Sequence, residues 1–166
     1  MDKVYDHKKV EENIYKTWEG KGYFKPEINP DGAPYSIILP PPNANAPLHF
    51  GHAMYVIEDI LIRYHRMLGR AALWLPGADH AGFETQFVFE KHLQTEGKSR
   101  FDFDRETLYK MIWDFVQKNR GGMEGQLRRL GFSLDWSRMK FTLDPDIVSI
   151  VYKSFKKMFD DELVYR

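Results

Sequence analysis

Two histidines bracket one glycine in Leu48-His49-Phe50-Gly51-His52-Ala53, directly after an apolar run and directly before a helical pattern. Imidazoles at that spacing suit phosphate chemistry. A helix N-terminus offers free N–H groups and a partial positive charge. A glycine lets a ligand approach the backbone because it has no Cβ. Imidazole N–H groups can donate to a phosphoryl group as charge develops on it. The same His-x-x-His pair could instead hold a metal ion or simply cap a helix. Asp79, in Leu75-Pro76-Gly77-Ala78-Asp79-His80-Ala81-Gly82, is the second chemical candidate. It can neutralise an ammonium group, or cap a helix that begins near Gly82.

The elements that carry these residues follow from pattern. Tyr35-Ser36-Ile37-Ile38-Leu39 is short, β-branched and ended by prolines, which predicts a buried strand. Phe50 to Leu68 reads as a helix, with Met54, Ile57, Leu61, Tyr64 and Leu68 three and four apart and Gly69 as its stop. Ala71 to Leu75 reads as a second buried strand, halted by Pro76-Gly77. Both candidate groups therefore fall past the carboxyl ends of strands, where open α/β sheets bind ligands. Val10, Ile14 and Trp18 mark a first helix, and Lys25 to Pro34 a turn-rich loop. Phe83 to Glu96 reads as a helix ended by Gly97. Another starts at Asp104, carries Leu108, Met111, Ile112, Phe115 and Val116, is interrupted at Gly121-Gly122 and resumes to Gly131. Asp144-Pro145 reads as a cap and first position of a last helix, whose buried stripe is Val148, Val151, Tyr152, Phe155 and Phe159. His7, His65 and His92 read as surface residues, Arg128-Arg129 as a solvated face and Asp135-Trp136 as structural.

Three ordered blocks resemble the valyl-tRNA synthetases, a family of class I aminoacyl-tRNA synthetases. They are Pro40-Pro41-Pro42-Asn43 with Leu48-His49-Phe50-Gly51-His52-Ala53, then Gly77-Ala78-Asp79-His80-Ala81-Gly82, then Gln126-Leu127-Arg128-Arg129-Leu130-Gly131-Phe132-Ser133-Leu134-Asp135-Trp136-Ser137-Arg138. Phe141-Thr142-Leu143-Asp144 and the opening from Tyr5 to Phe24 fit the family as well. The resemblance implies an α/β fold: the first half of a Rossmann-like (HUP-type) catalytic domain, a parallel sheet with flanking helices. It divides the chain into an N-terminal helix and loop (1–34), the half-domain with the histidine motif (35–143) and a helix leading toward an editing insertion (144–166). It implies ATP contact by His49, Gly51, His52 and Asn45, with His49 and His52 catalytic. Pro41, Pro42, Asn43 and Asp79 would form the amino-acid site, with Asp79 on the valine ammonium. Magnesium would accompany ATP, with no permanent cofactor and no metal site in the protein. The complete enzyme would take valine, ATP and tRNA(Val).

Some positions depart from the family pattern. Ala46-Pro47 stand where glycine and a small residue are usual, and Pro47 has no N–H to offer ATP. Asn45 and Ala78 stand where threonine is common. At 166 residues the chain is several times shorter than such synthetases. No lysine-rich signature loop, editing domain or anticodon-binding domain is encoded, since Met139-Lys140 is not followed by Ser-Lys-Ser. The expectation is a catalytic-domain fragment or one part of a split enzyme, with little activity alone. It would self-associate or bind a complementary polypeptide. An isoleucyl or leucyl enzyme is the nearest alternative, and Asp79-His80-Ala81-Gly82 argues against it. A small nucleotidyltransferase and a non-catalytic nucleotide-binding module are the others.

Composition fits a cytoplasmic globular piece. Apolar residues make up 43%, enough for a core, and the net charge of zero gives no global signal for nucleic acid. With no cysteine, disulfides and cysteine-ligated zinc are excluded within these residues. No apolar run approaches the roughly 20 residues a membrane span needs, and the charged N-terminus does not read as a signal peptide.

Overall fold

The computed structural model describes residues 4–166. Its helices are α1 (His7–Gly20), α2 (Tyr55–Met67), α3 (Gly82–Thr95), α4 (Arg105–Arg129) and α5 (Pro145–Asp160). Its strands are β1 (Pro34–Ile38), β2 (Ala71–Leu75), β3 (Gly77–Ala78) and β4 (Lys140–Phe141). β1 pairs in parallel with β2, in register Pro34 with Ala71 through Ile38 with Leu75. β3 pairs in parallel with β4. Leu39 N–H donates to Leu75 O, and Asp79 N–H to Pro42 O. On the other side Asp135 N–H donates to Trp74 O, Lys140 N–H to Pro76 O and Thr142 N–H to Ala78 O. The segment from Ala71 to Asp79 is thus the middle of three parallel runs. Parallel strands need a crossover, and α2 supplies it between β1 and β2.

Two apolar clusters hold this arrangement. Leu39, Tyr55, Ile62, Trp74, Leu127, Phe132 and Leu134 form one. Ala44, Ala78, Val116, Met123 and Phe141 form the other. α4 reaches both, which explains a departure from the expected break at Gly121-Gly122. The helix runs unbroken through both glycines. Each costs about 1 kcal/mol against alanine, but Val116, Met123 and Leu127 are buried on either side and fix the axis. Gly131, at φ +77°, supplies the left-handed turn after the helix.

Several further expectations meet a different outcome. In α2 the residues that face the core are Tyr55 and Ile62, whereas the stripe Met54, Ile57, Leu61, Tyr64 and Leu68 lies outward, Ile57 64% exposed. The inward face admits charges because they are paired. Asp59 accepts from Ser133 and from Arg63, and Arg66 donates to Ser133 and to Phe24 O. Nor does α5 bury its stripe. Val151, Tyr152, Phe155 and Phe159 are all exposed, and no residue of the helix is buried. Asp144 does stand at the N-cap of α5 with Pro145 next, as expected, but its carboxylate makes no cap bond and accepts from Phe141 N–H at 2.8 Å instead. His65 also departs from a surface reading. It is half-buried, its ring lies 3.6 Å from that of Tyr35 and its Nδ1 has no partner among the described residues. Arg128 stacks 3.9 Å over Trp136 and pairs with Glu19, so it belongs to the packing of α1 on α4.

Among the described residues β1 has a partner on one edge only, and two helices present apolar faces to solvent. Open strand edges and broad apolar patches promote association. The 166-residue polypeptide is therefore expected to self-associate at tens of micromolar. Static light scattering over a concentration series checks this, and a constant monomer mass would contradict it.

Two phenols give the fold an alkaline limit. Tyr15 donates to Phe132 O at 2.7 Å and Tyr55 donates to Pro40 O at 2.8 Å. Burial pushes both hydroxyls up from 10.0 to about 12. A raised folded pKa gives stability that is full below the unfolded value and lost as pH rises through the folded one. The melting temperature should therefore fall between pH 10 and about 12. Substituting phenylalanine at both positions should flatten that decline while lowering stability at neutral pH.

Candidate active site

The chain Pro40 to Ala44 leaves β1 and stays in parallel register with the middle run. Asn43 and Asp79 form a parallel bridge, and Ala44 N–H donates to Asp79 O at 2.7 Å. Pro41, Pro42, Asn43 and Asp79 are therefore brought together at the carboxyl ends of adjacent strands. Pro42 is buried, while Asn43 and Pro41 are exposed. Asp79 Oδ1 accepts from Ala81 N–H at 3.2 Å and from the Thr142 hydroxyl at 3.1 Å. The Thr142 oxygen in turn accepts His80 N–H at 2.9 Å and lies 2.6 Å from His80 Nδ1. One carboxylate oxygen is thereby fixed, and the side chain keeps 36% exposure. Nothing in its sequence block marks Thr142; its place one residue past the Ala78–Phe141 pair, with its hydroxyl on Asp79, reveals it as the residue that orients Asp79.

Helix α3 begins without help from Asp79. Its N-cap is Ala81, in the left-handed region at φ 43°, and no side chain caps it. A non-glycine residue there is strained by roughly 1 kcal/mol or more. Thr85 holds the turn by donating to His80 O at 2.6 Å. The carboxylate is thus not spent on capping.

The histidine turn is built differently from the expected helix start. Residues Phe50–Met54 form a 3-10 turn, with His49 as its N-cap, before α2 begins. Gly51 N–H donates to His49 Nδ1 at 3.0 Å, and His49 N–H donates to His52 Nδ1 at 3.0 Å. His52 Nδ1 also lies 3.1 Å from His49 O, but a nitrogen that accepts from His49 N–H carries a lone pair, not a proton to donate there. Reciprocal capping assigns Nδ1 as acceptor on both rings, which places the proton on each Nε2. Two imidazoles with centroids 4.1 Å apart thus present N–H donors away from the turn. Gly51 has a local reason as well. A Cβ there would sit 2.8 Å from His49 Cε1, so alanine would push the ring off its cap.

A cleft of about 500 Å³ runs beside this turn, lined by His49, His52, Phe50, Gln126, Arg129 and Phe132 among others. Asn45 is half-buried, in the turn that links the two groups of residues along the chain. Five residues lie between Asn43 and His49, so their Cα atoms are at most roughly 22 Å apart. Ala78 is fully packed in the second cluster, where a larger side chain would have to displace Val116 or Phe141. Among the described residues no three histidine, cysteine, aspartate or glutamate side chains converge as a metal site.

A profile of the tRNA synthetases class I (I, L, M and V) matches residues 13–166. The chain belongs to the class I tRNA synthetase family. It is 50% identical over 94% of its length to the valine–tRNA ligase, chloroplastic/mitochondrial 2, of Arabidopsis thaliana, and covers 16% of that protein. It is 47% identical over its whole length to the valine–tRNA ligase of Chlamydia caviae, of which it covers 18%. The crystal structure of a LeuRS–tRNA–LeuAMS ternary complex from Agrobacterium radiobacter K84 superposes with a TM-score of 0.79. That match covers 98% of this chain and 19% of that one, at 22% identity. This likeness supports the Rossmann-like α/β fold of a class I catalytic domain. The chain spans less than a fifth of the length of these relatives. No helix among the described residues is long and apolar enough to cross a membrane.

Proposed function

We propose that this chain forms the opening part of the catalytic domain of a valine–tRNA ligase of the cytoplasm, which activates valine with ATP and passes it to tRNA(Val). One observation carries the reading. An oriented carboxylate and a turn with two outward imidazole N–H donors stand past the carboxyl ends of adjacent parallel strands, in a chain 44–50% identical to valine–tRNA ligases.

The reaction joins a valine carboxylate oxygen to the α-phosphorus of ATP and breaks the bond from that phosphorus to the bridging oxygen, which leaves with pyrophosphate. The protein supplies no nucleophile, so its part is placement and charge stabilisation. Asp79 takes the ammonium group, its free oxygen outward because Thr142 and Ala81 hold the other. Pro41, Pro42 and Asn43 wall the side-chain pocket. His49 and His52 donate from Nε2 to the phosphate oxygens as negative charge gathers on them. Gly51 keeps the His49 ring seated, and Asn45 lines the nucleotide side. Magnesium arrives with ATP and neutralises part of its charge.

Amino-acid-dependent exchange of pyrophosphate into ATP tests the reading, using the protein at its relatives' length. Valine should support exchange at least tenfold better than leucine, a difference of about 1.4 kcal/mol. Equal or greater exchange with leucine would overturn the valine assignment.

A further inference from the structure

Beyond its continuation into α2, the turn that carries His49 and His52 is tied to the rest of the described residues at one polar point. Most of its hydrogen bonds are internal: His49 N–H to His52, Gly51 N–H to His49, His52 N–H to His49. Pro47, just before it, has no N–H. On its C-terminal side the turn runs straight into α2, whose Tyr55 N–H donates to it; among the described residues, the one hydrogen bond from residues 45–54 to an element other than α2 is Leu48 N–H to Gln126 Oε1, at 2.9 Å. Gln126 sits on a rigid support. Met123 and Leu127, on the same stretch of α4, are each 1% exposed in the two separate core clusters. Leu48 packs against both clusters. Because the side-chain oxygen accepts the Leu48 N–H, the amide orientation is set.

We infer that Gln126 is a positioning residue for the histidine turn: its carbonyl oxygen seats the Leu48 peptide and thereby fixes where His49 and His52 present their N–H donors. This rests on the reading of those histidines as phosphate contacts. Without the acceptor, a half-buried N–H loses its partner and the turn is free to shift by the fraction of an ångström that weakens a donor array.

The test uses the chain labelled with nitrogen-15 and ATP as the probe. Gln126→Met keeps the volume and removes the acceptor. Gln126→Glu keeps an acceptor for the Leu48 N–H. Gln126→Ala, a second loss variant, removes the acceptor by shortening. In Gln126→Met and Gln126→Ala, hydrogen exchange at Leu48 should quicken by about tenfold and the Gly51 and His52 amide signals should move. The ATP dissociation constant should rise by about tenfold, while the melting profile keeps its cooperativity. Gln126→Glu should retain the Leu48 protection and the wild-type Gly51 and His52 signals. ATP titrations at high salt remove most of its added charge repulsion. Unchanged ATP affinity in both loss variants would overturn the inference while leaving the phosphate reading intact. Equal loss of Leu48 protection in Gln126→Glu would overturn it as well. A wild-type chain that shows no ATP-dependent shift at Gly51 or His52 overturns the phosphate reading, and this inference with it.

Discussion

Asp79→Asn should lower kcat/KM for valine by about 10²-fold in pyrophosphate exchange, with most of the change in the KM for valine. The asparagine can still accept from Ala81 N–H and Thr142 through its oxygen, so the loop keeps its shape. Only the charge disappears. Removing one member of a hydrogen-bonded charge pair costs about 2–5 kcal/mol, and the partial exposure of this carboxylate favours the lower half of that range. The loss appears in KM because the ammonium group carries the same charge before and during the reaction. A melting curve like that of the parent separates this from unfolding. If kcat/KM changes by less than threefold, Asp79 does not hold the ammonium group.

His52→Asn should lower kcat by roughly 10²-fold with little change in the KM for ATP. Asparagine can reproduce the acceptor at the Nδ1 position, which meets His49 N–H, but not the outward donor at Nε2. His52→Gln reverses the substitution: a donor reaches the outer position while the cap is lost. The pair therefore separates the structural role of the ring from its chemical one. If the asparagine variant is as active as the parent, the turn is only a cap. A parallel loss is expected for His49→Asn, whose Nδ1 position serves Gly51 N–H.

Much of this architecture could be read from the chain before its structure. β2 occupies the residues expected of it, and α3 stops at Thr95, with Gly97 in the left-handed turn just beyond it as its sequence predicts. Parallel pairing follows from a strand, a helix and a strand in succession. The errors share a cause. In α2 two apolar stripes compete, and periodicity cannot say which is inside. The inward one is disguised by Asp59, Arg63 and Arg66, whose pairing with Ser133, Gly131 O and Phe24 O spans long sequence separations. α5 is amphipathic in sequence, yet its apolar face stays largely exposed to solvent. Gly121-Gly122 look like a break because local propensity cannot register two cores gripping the helix on either side. In the candidate site, residue types and spacing pointed to His49, His52 and Asp79. Thr142 and Gln126 became visible only through contacts 63 and 78 residues away in sequence.

One titration addresses the central claim that the two groups of residues serve a single ligand. A non-hydrolysable valyl-adenylate analogue carries an ammonium group and an adenosine phosphate mimic on one molecule. Added to the nitrogen-15-labelled chain, it should move the amides of Ala44, Asp79 and Ala81 together with those of Gly51 and His52, along one binding curve. Asp79→Asn should weaken that curve for both groups at once. Shifts confined to one group, two curves with different midpoints, or no shift at all would show that these strand ends and this histidine turn do not form one valine-activating site.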